Sequence, residues 1–159
     1  LPMLRILRAV DVVRYQRALQ VLKRLAVRKQ SNGAPLLNAP QFAARIADVE
    51  IELMALEVTN MRFLDEMRRT GNIGPEVSML KIRGTEIQQA LTELMMEAVG
   101  PYALPYLPAQ WSNHWLGERV GPDHAGPLAS RYFNYRKVTI YGGSNEIQRN
   151  IIAQAILGL

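Results

Sequence analysis

The residues best suited to do chemistry lie in one stretch near the C-terminal end, residues 140–153. Gly142 and Gly143 come directly before Ser144, a residue type that often caps the N-terminus of a helix. A glycine pair lets a ligand approach the backbone closely, and the free N–H groups of a following helix attract anionic or polar groups. The stretch predicts either a site for such a group or a tight turn between helices, and the residues alone favour neither.

Several other kinds of site lack the residues they need. The chain contains no cysteine, which excludes disulfide bonds, thiolate nucleophiles and cysteine-rich metal sites. His114 and His124 lie in a stretch rich in Pro and Gly, where a zinc pair is disfavoured. We therefore predict no metal site.

The net charge of +5 is concentrated in the first predicted helix. The basic residues there are Arg14, Arg17, Lys23, Arg24, Arg28 and Lys29. A solvated or interface-facing side of the helix is the favoured interpretation, because no base-reading motif accompanies the charge. An anionic cofactor group such as a pyrophosphate is the alternative partner for part of this charge, and we predict no nucleic-acid partner.

The 159 residues suit one domain. We find neither a secretory signal nor a stretch long and apolar enough to span a bilayer, so we expect a cytoplasmic protein without a membrane partner. The chain starts at Leu1 inside a predicted helix, and we expect it to be a fragment of a longer protein.

Apolar residues recur at three- and four-residue steps in long segments, which is typical of amphipathic helices. The predicted helices cover approximately residues 4–28, 38–69, 75–100, 128–139 and 144–157. We expect Asn38 and Ser144 to act as N-caps. Residues 101–127 are predicted to form an ordered loop packed by Trp111 and Trp115. No alternating strand pattern is present, so we predict an all-α fold, an antiparallel up-down four-helix bundle.

Residues 140–153 closely resemble the C-terminal signature of the acyl-CoA dehydrogenases, in which Tyr-Glu-Gly-Thr, a variable residue and Glu/Gln-Ile-Gln-Arg follow one another. Residues 45–52 and 81–86 resemble the second and third helices of that family's C-terminal domain, and residues 97–100 its glycine-rich turn. The resemblance implies that residues 1–159 are this helical domain, without the family's N-terminal helical and middle β-domains.

The resemblance also implies a chemistry. Family members use FAD to desaturate an acyl-CoA thioester: a carboxylate removes the α-proton, and the β-hydrogen leaves as hydride to flavin N5. The positions that match FAD contacts are Arg28, Gly100, Ser144 and Glu146. The positions that match the substrate contact are Tyr141, Gly142 and Gly143.

The chain departs from the family where the catalytic base should be. Gly142 stands in the place of the usual glutamate, and glycine cannot accept a proton. The other family position for the base falls near residues 1–8, which contain no acid. We therefore predict no catalytic residue in this chain, with the base upstream of Leu1 or in a partner subunit. Glu97 replaces a glutamine in the glycine-rich turn, and a carboxylate is a poor neighbour for phosphate.

A loop longer than the common pattern adds to these departures, and together they resemble a bacterial branch that includes the pimeloyl-CoA dehydrogenase large subunits. This likeness implies a homo-oligomer, or a hetero-oligomer with a second acyl-CoA dehydrogenase subunit, with electron-transfer flavoprotein as a candidate electron acceptor. The alternative is a catalytically silent subunit that supplies an assembly surface. Met54, Met61, Met79, Met95 and Met96 lie on broad apolar faces, and core packing is favoured over an interface for them.

Overall fold

The computed structural model of the chain describes residues 11–31, 33–112, 114–118 and 120–159. Within these ranges the ordered elements are helices and turns, apart from one two-stranded β-hairpin. The predicted all-α class is confirmed. The predicted start of the first helix, near Leu4, lies outside the described residues.

Five α-helices are found in the described part of the chain. They are α1 (Val12–Arg28), α2 (Pro40–Thr70), α3 (Ser78–Val99), α4 (Leu128–Tyr135) and α5 (Asn145–Ile152). Turns of 3-10 helix lie at Leu36–Asn38, Pro75–Val77, Gly100–Ala103, Pro108–Trp111 and Arg136–Thr139, and a π-helical turn, Ala153–Leu157, extends α5. These bounds agree closely with the helices expected from the apolar periodicity.

The connection between α1 and α2 contains a short β-hairpin. Gln30–Ser31 pairs antiparallel with Ala34–Pro35, a hairpin that the sequence pattern did not reveal. The predicted N-cap Asn38 is wrong, because it ends a 3-10 turn and Ala39 takes the cap position without a side-chain hydrogen bond. The backbone N–H of Leu36 donates to the Lys29 carbonyl at 2.7 Å, so backbone contacts already fix the entry to α2.

Side-chain contacts show the direction of the long helices. Gln16 on α1 donates to Glu57 on α2 at 2.9 Å, and Lys23 donates to Glu50 at 2.6 Å. Later residues of α1 therefore contact earlier residues of α2, so the two helices are antiparallel. Helix α3 packs against α1, α2, α4 and α5. The predicted antiparallel up-down bundle is confirmed, and two short helices, α4 and α5, accompany the three long ones.

The core is built around α3. Leu80 and Leu94 of α3 are fully or almost fully buried, and so is Leu22 of α1. The predicted role of the methionines is only half right: Met95 is buried and Met96 packs against the core, whereas Met54, Met61 and Met79 are exposed. Residue type alone does not predict this difference, because burial depends on which side of its helix each methionine occupies.

Aromatic rings pack the long loop against its own glycines. The Trp115 ring lies 2.4 Å from where a Cβ of Gly117 would be, and the Tyr102 ring lies 2.6 Å from the same point at Gly121. Trp115 therefore lies against the loop near Gly117 but is 37% exposed, and Tyr102 adds a contact that was not predicted; the Trp111 side chain lies outside the described part. No helix among the described residues is long and apolar enough to cross a membrane.

Candidate functional site

The glycine turn lies between the 3-10 turn Arg136–Thr139 and helix α5. Gly142 has a φ of 66° and Gly143 a φ of 91°. Residues that carry a Cβ rarely adopt this left-handed backbone conformation. Ser144 follows as the N-cap of α5, and its hydroxyl accepts a hydrogen bond from the Ile147 N–H at 3.4 Å. The two glycines thus let the chain reverse direction and start α5 at once.

Side chains from α3 hold both ends of this turn. Nζ of Lys81 donates to the Thr139 carbonyl at 2.8 Å and to Oδ1 of Asn145 at 2.7 Å. Nδ2 of Asn145 donates to Oγ1 of Thr85 at 3.1 Å. We predicted no role for Lys81, Thr85 or Asn145, although they lie in segments that resemble the family, because their partners lie 58 to 64 residues away in the chain.

The two sides of the turn differ. A Cβ built on Gly142 meets nothing within 4 Å, and Tyr141 is 54% exposed with Nζ of Lys137 5.3 Å from its ring centre. A Cβ built on Gly143 would lie 2.7 Å from Nε2 of Gln148, a residue only 4% exposed. The turn is therefore open on the side of Tyr141 and Gly142 and closed on the side of Gly143.

Gln148 contributes an unusual polar group beneath the turn. Its Oε1 is buried and has no hydrogen-bond partner among the described residues. A buried acceptor without a partner is unfavourable by about 1–3 kcal/mol. The inner side of the turn is thus tightly packed but not fully satisfied.

Charged side chains lie near one another at the start of α5. A hydrogen bond from its own backbone N–H lowers the pKa of Glu146, and the Ser144 hydroxyl and the charges of Arg149 and Lys81 act in the same direction. The pKa of Lys81 is lowered by its partial burial, against the attraction of Glu146. A carboxylate therefore already occupies the positive end of α5. The cations Arg149 and Lys81 lie near this carboxylate, so charges of both signs meet at the start of α5.

The other predicted contacts lie at the far end of α3. Arg28, the last residue of α1, is exposed there, and Gly100 follows α3 with a φ of 65°. Nζ of Lys29 comes within 4.0 Å of the Cβ position of Gly100, so α1 and α3 end side by side. Lys81 and Gly100 are about 28 Å apart along the helix, at about 1.5 Å per residue. The predicted site residues thus form two groups that one chain does not bring together.

Glu97 is less of an obstacle to a phosphate group than its charge suggests. Arg45 of α2 forms ion pairs with Glu97 and, at 3.4 Å, with Glu93. One guanidinium thus faces two carboxylates, so the negative charge beside Gly100 is reduced but not cancelled. The cations Arg28 and Lys29 lie at the same end.

The basic residues of α1 do not form one uniform charged face. Lys23 is paired with Glu50, and Arg14 donates to the Tyr135 hydroxyl. Arg17 and Arg24 are exposed. Among the described residues, no group of three or more His, Asp or Glu side chains is arranged to hold a metal ion.

A helical bundle with a capped glycine turn before its last helix is the arrangement expected of an acyl-CoA dehydrogenase C-terminal domain. Residues 1–157 match the family model of that description, acyl-CoA dehydrogenase, C-terminal domain. The chain belongs to the acyl-CoA dehydrogenase family.

Known relatives are longer than this chain. Acyl-CoA dehydrogenase FadE26 of Mycobacterium tuberculosis is 28% identical over 134 residues, which make up 82% of this chain and 31% of that protein. A chain of the ChsE4–ChsE5 complex of the same organism has a similar fold, with a TM-score of 0.71 and 24% sequence identity. The match covers 94% of this chain and 36% of the matched chain. A solved FAD-dependent dehydrogenase gives a TM-score of 0.69 at 18% identity, over 93% of this chain and 35% of that one. The chain spans about a third of the length of these relatives.

The two glycines provide a matched test of the turn's two sides. Alanine at either position must adopt a left-handed backbone, which is unfavourable by about 1–2 kcal/mol. Gly143→Ala must also displace the buried amide of Gln148, and such overpacking adds about 1–3 kcal/mol. Urea denaturation should therefore show a larger loss of unfolding free energy for Gly143→Ala than for Gly142→Ala. Equal losses would contradict the packing described beneath Gly143.

Proposed function

We propose that residues 1–159 form the C-terminal domain of an FAD-dependent acyl-CoA dehydrogenase, which desaturates an acyl-CoA thioester between its α- and β-carbons. Family membership supports the reaction class. The observation that carries the proposal is the open glycine turn, because Gly142 leaves free space at the surface beside the exposed Tyr141. In the proposed enzyme, Tyr141, Gly142 and Gly143 contact the substrate.

The charge at this turn agrees with a thioester as its ligand. A thioester carbonyl is polar but uncharged, and it requires no unpaired cation at the start of α5, where Glu146 lies near Arg149 and Lys81. Ser144 and Glu146 offer acceptor oxygens, which suit the hydroxyl groups of a flavin nucleotide. When bound, FAD would accept the hydride that leaves the substrate.

Arg28 and Gly100 are proposed to contact a different part of FAD. Arg28 presents a forked cation that suits a pyrophosphate, and the pairing of Glu97 with Arg45 weakens the charge that would oppose it. Because this end lies about 28 Å from Lys81 along α3, we propose that it serves the FAD of a neighbouring subunit. Each flavin would then be shared by two chains.

The residue that removes the α-proton is proposed to lie outside this chain. Gly142 has no side chain, and the lowered pKa of Glu146 makes it a weaker base than an ordinary carboxylate. Glu146 is therefore a poor replacement for the missing glutamate. A carboxylate from an upstream segment or from a partner subunit fills this role in the proposal.

The Gly142→Glu substitution tests where the base is. The side chain has space, but the φ of 66° makes the change unfavourable by about 1–2 kcal/mol. In the complete protein, assayed with its natural partner, we expect Gly142→Glu to leave kcat/KM unchanged or lower, because a base is already present. Gly142→Gln is the control, with a similar shape and no proton acceptor.

A different result would identify a lost base. General-base catalysis contributes about a hundred- to ten-thousand-fold. A rise of that size in Gly142→Glu, absent in Gly142→Gln, would show that the base was lost from this position and not moved elsewhere.

An exposed apolar stripe on α2 supports an assembly role. Ile51, Met54, Val58 and Met61 follow one another at three- and four-residue steps, and each is more than half exposed. Residues at this spacing lie on one side of a helix, and contiguous exposed apolar patches mark interaction sites. We propose that this α2 stripe contacts another subunit, either a second copy of the chain or a different acyl-CoA dehydrogenase subunit.

A catalytically silent assembly subunit is the second candidate function. The combination of Gly142 in the base position with the α2 stripe favours it, because assembly would survive the loss of catalysis. The ChsE4–ChsE5 complex, which shares the fold, contains two differently named proteins. In both candidates, electron-transfer flavoprotein is the proposed acceptor for the assembled enzyme.

Charged residues in the α2 stripe should weaken assembly. A specific interface buries about 1,000 Å² or more in total, and Ile51→Glu/Val58→Glu would place two carboxylates within it. We expect light scattering of the double variant to show a smaller species than the wild type at the same concentration. Leu116→Glu, at an exposed apolar residue of the long loop, is the control and should assemble normally. An unchanged mass for the double variant would exclude the stripe as an interface.

A further inference from the structure

Two segments on either side of the glycine turn meet at one ammonium group. Nζ of Lys81 donates to the Thr139 carbonyl at 2.8 Å and to Oδ1 of Asn145 at 2.7 Å. Thr139 ends the 3-10 turn before the glycines, and Asn145 is the first residue of α5 after them. A single side chain on α3 therefore fixes both ends of residues 140–144.

The acceptor side of this contact is buried and further supported. Asn145 is 3% exposed and also contacts Thr85, which lies one turn beyond Lys81 on α3. Hydrogen bonds to a charged group are stronger than those between neutral groups. The start of α5 is thus attached to α3 by a polar contact that solvent cannot easily replace.

The other contacts of the turn are short-range: the N–H groups of Ile140 and Tyr141 donate to the Lys137 carbonyl at 3.0 and 3.3 Å, and Nζ of Lys137 lies 5.3 Å from the centre of the Tyr141 ring. Gly142 and Gly143 have no side chains, and the space beyond the Cβ position of Gly142 is empty within 4 Å. Glycine leaves the backbone more freedom than any other residue. The orientation of the turn therefore depends on what holds its ends and on Gln148 beneath Gly143.

We propose that Lys81 is the positioning residue of the glycine turn and sets the direction in which Tyr141 and Gly142 are presented. The consequence for activity rests on the proposed function, in which this turn contacts the acyl-CoA thioester. A displacement of about 1 Å in such a contact lowers a rate by about a hundredfold. Lys81 thus affects turnover without touching the substrate.

The test compares the complete protein, with its natural partner subunit, to its Lys81→Met and Lys81→Arg variants. Hydrogen–deuterium exchange is followed in peptides covering residues 139–148, and kcat and KM are measured with an acyl-CoA. Lys23→Met is the matched control, because Lys23 also donates to a side-chain acceptor, Glu50 at 2.6 Å, but between α1 and α2.

Lys81→Met should exchange about tenfold faster or more in residues 139–148, as expected from the loss of charge-assisted hydrogen bonds. Its kcat/KM should fall by about ten- to a hundredfold. Lys81→Arg keeps a charged donor and should recover part of both losses. Lys23→Met should leave exchange in this segment and kcat/KM at the wild-type values.

Unchanged exchange in residues 139–148 of Lys81→Met would overturn the proposal, and so would faster exchange with unchanged kcat and KM. If the wild-type protein turns over no acyl-CoA, the proposed function fails, and exchange alone decides the role of Lys81. If Lys81→Met does not fold, Asn145→Ala replaces it by removing one of the two acceptors. Faster exchange confined to residues 139–148 of that variant then supports the proposal, and wild-type exchange overturns it.

Discussion

Helix α3 is buried along most of its length, and the other four described α-helices pack against it. Leu80 and Leu94 lie in the centre of the core, while Lys81 and Thr85 hold the start of α5 from the same helix. Because α3 is one continuous helix, it fixes the distance between the glycine turn and the end at Gly100. The shared-flavin arrangement proposed for this family member depends on that distance.

The helices could be predicted from the sequence because their signals are local. Apolar residues at helical spacing give the long helices, and Ser144 indicates the start of α5 by its residue type and its place after two glycines. The motif around Gly142 also indicated the acyl-CoA dehydrogenase family, and the match over residues 1–157 confirms that family. In both cases the information lies within a few neighbouring residues.

Features that depend on distant parts of the chain could not be predicted. Lys81 and Asn145 are 64 residues apart in sequence, and neither belongs to a recognisable pair. The contact between Arg45 and Glu97 is similar, and it changes how the charge of Glu97 should be interpreted. Asn38 has a residue type suited to an N-cap, but the hairpin before α2 fixes the backbone first. Only the packed structure distinguishes the exposed Met54 from the buried Met95.

We propose that this domain serves a flavin-dependent reaction on an acyl-CoA although glycine occupies position 142. The most direct measurement is the flavin absorbance of the complete protein, with and without its natural partner, before and after anaerobic addition of an acyl-CoA. We expect flavin to co-purify with the protein, and the acyl-CoA to bleach the flavin absorbance once the chain that supplies the base is present. A protein that carries no flavin, either alone or with its partner, would contradict the account.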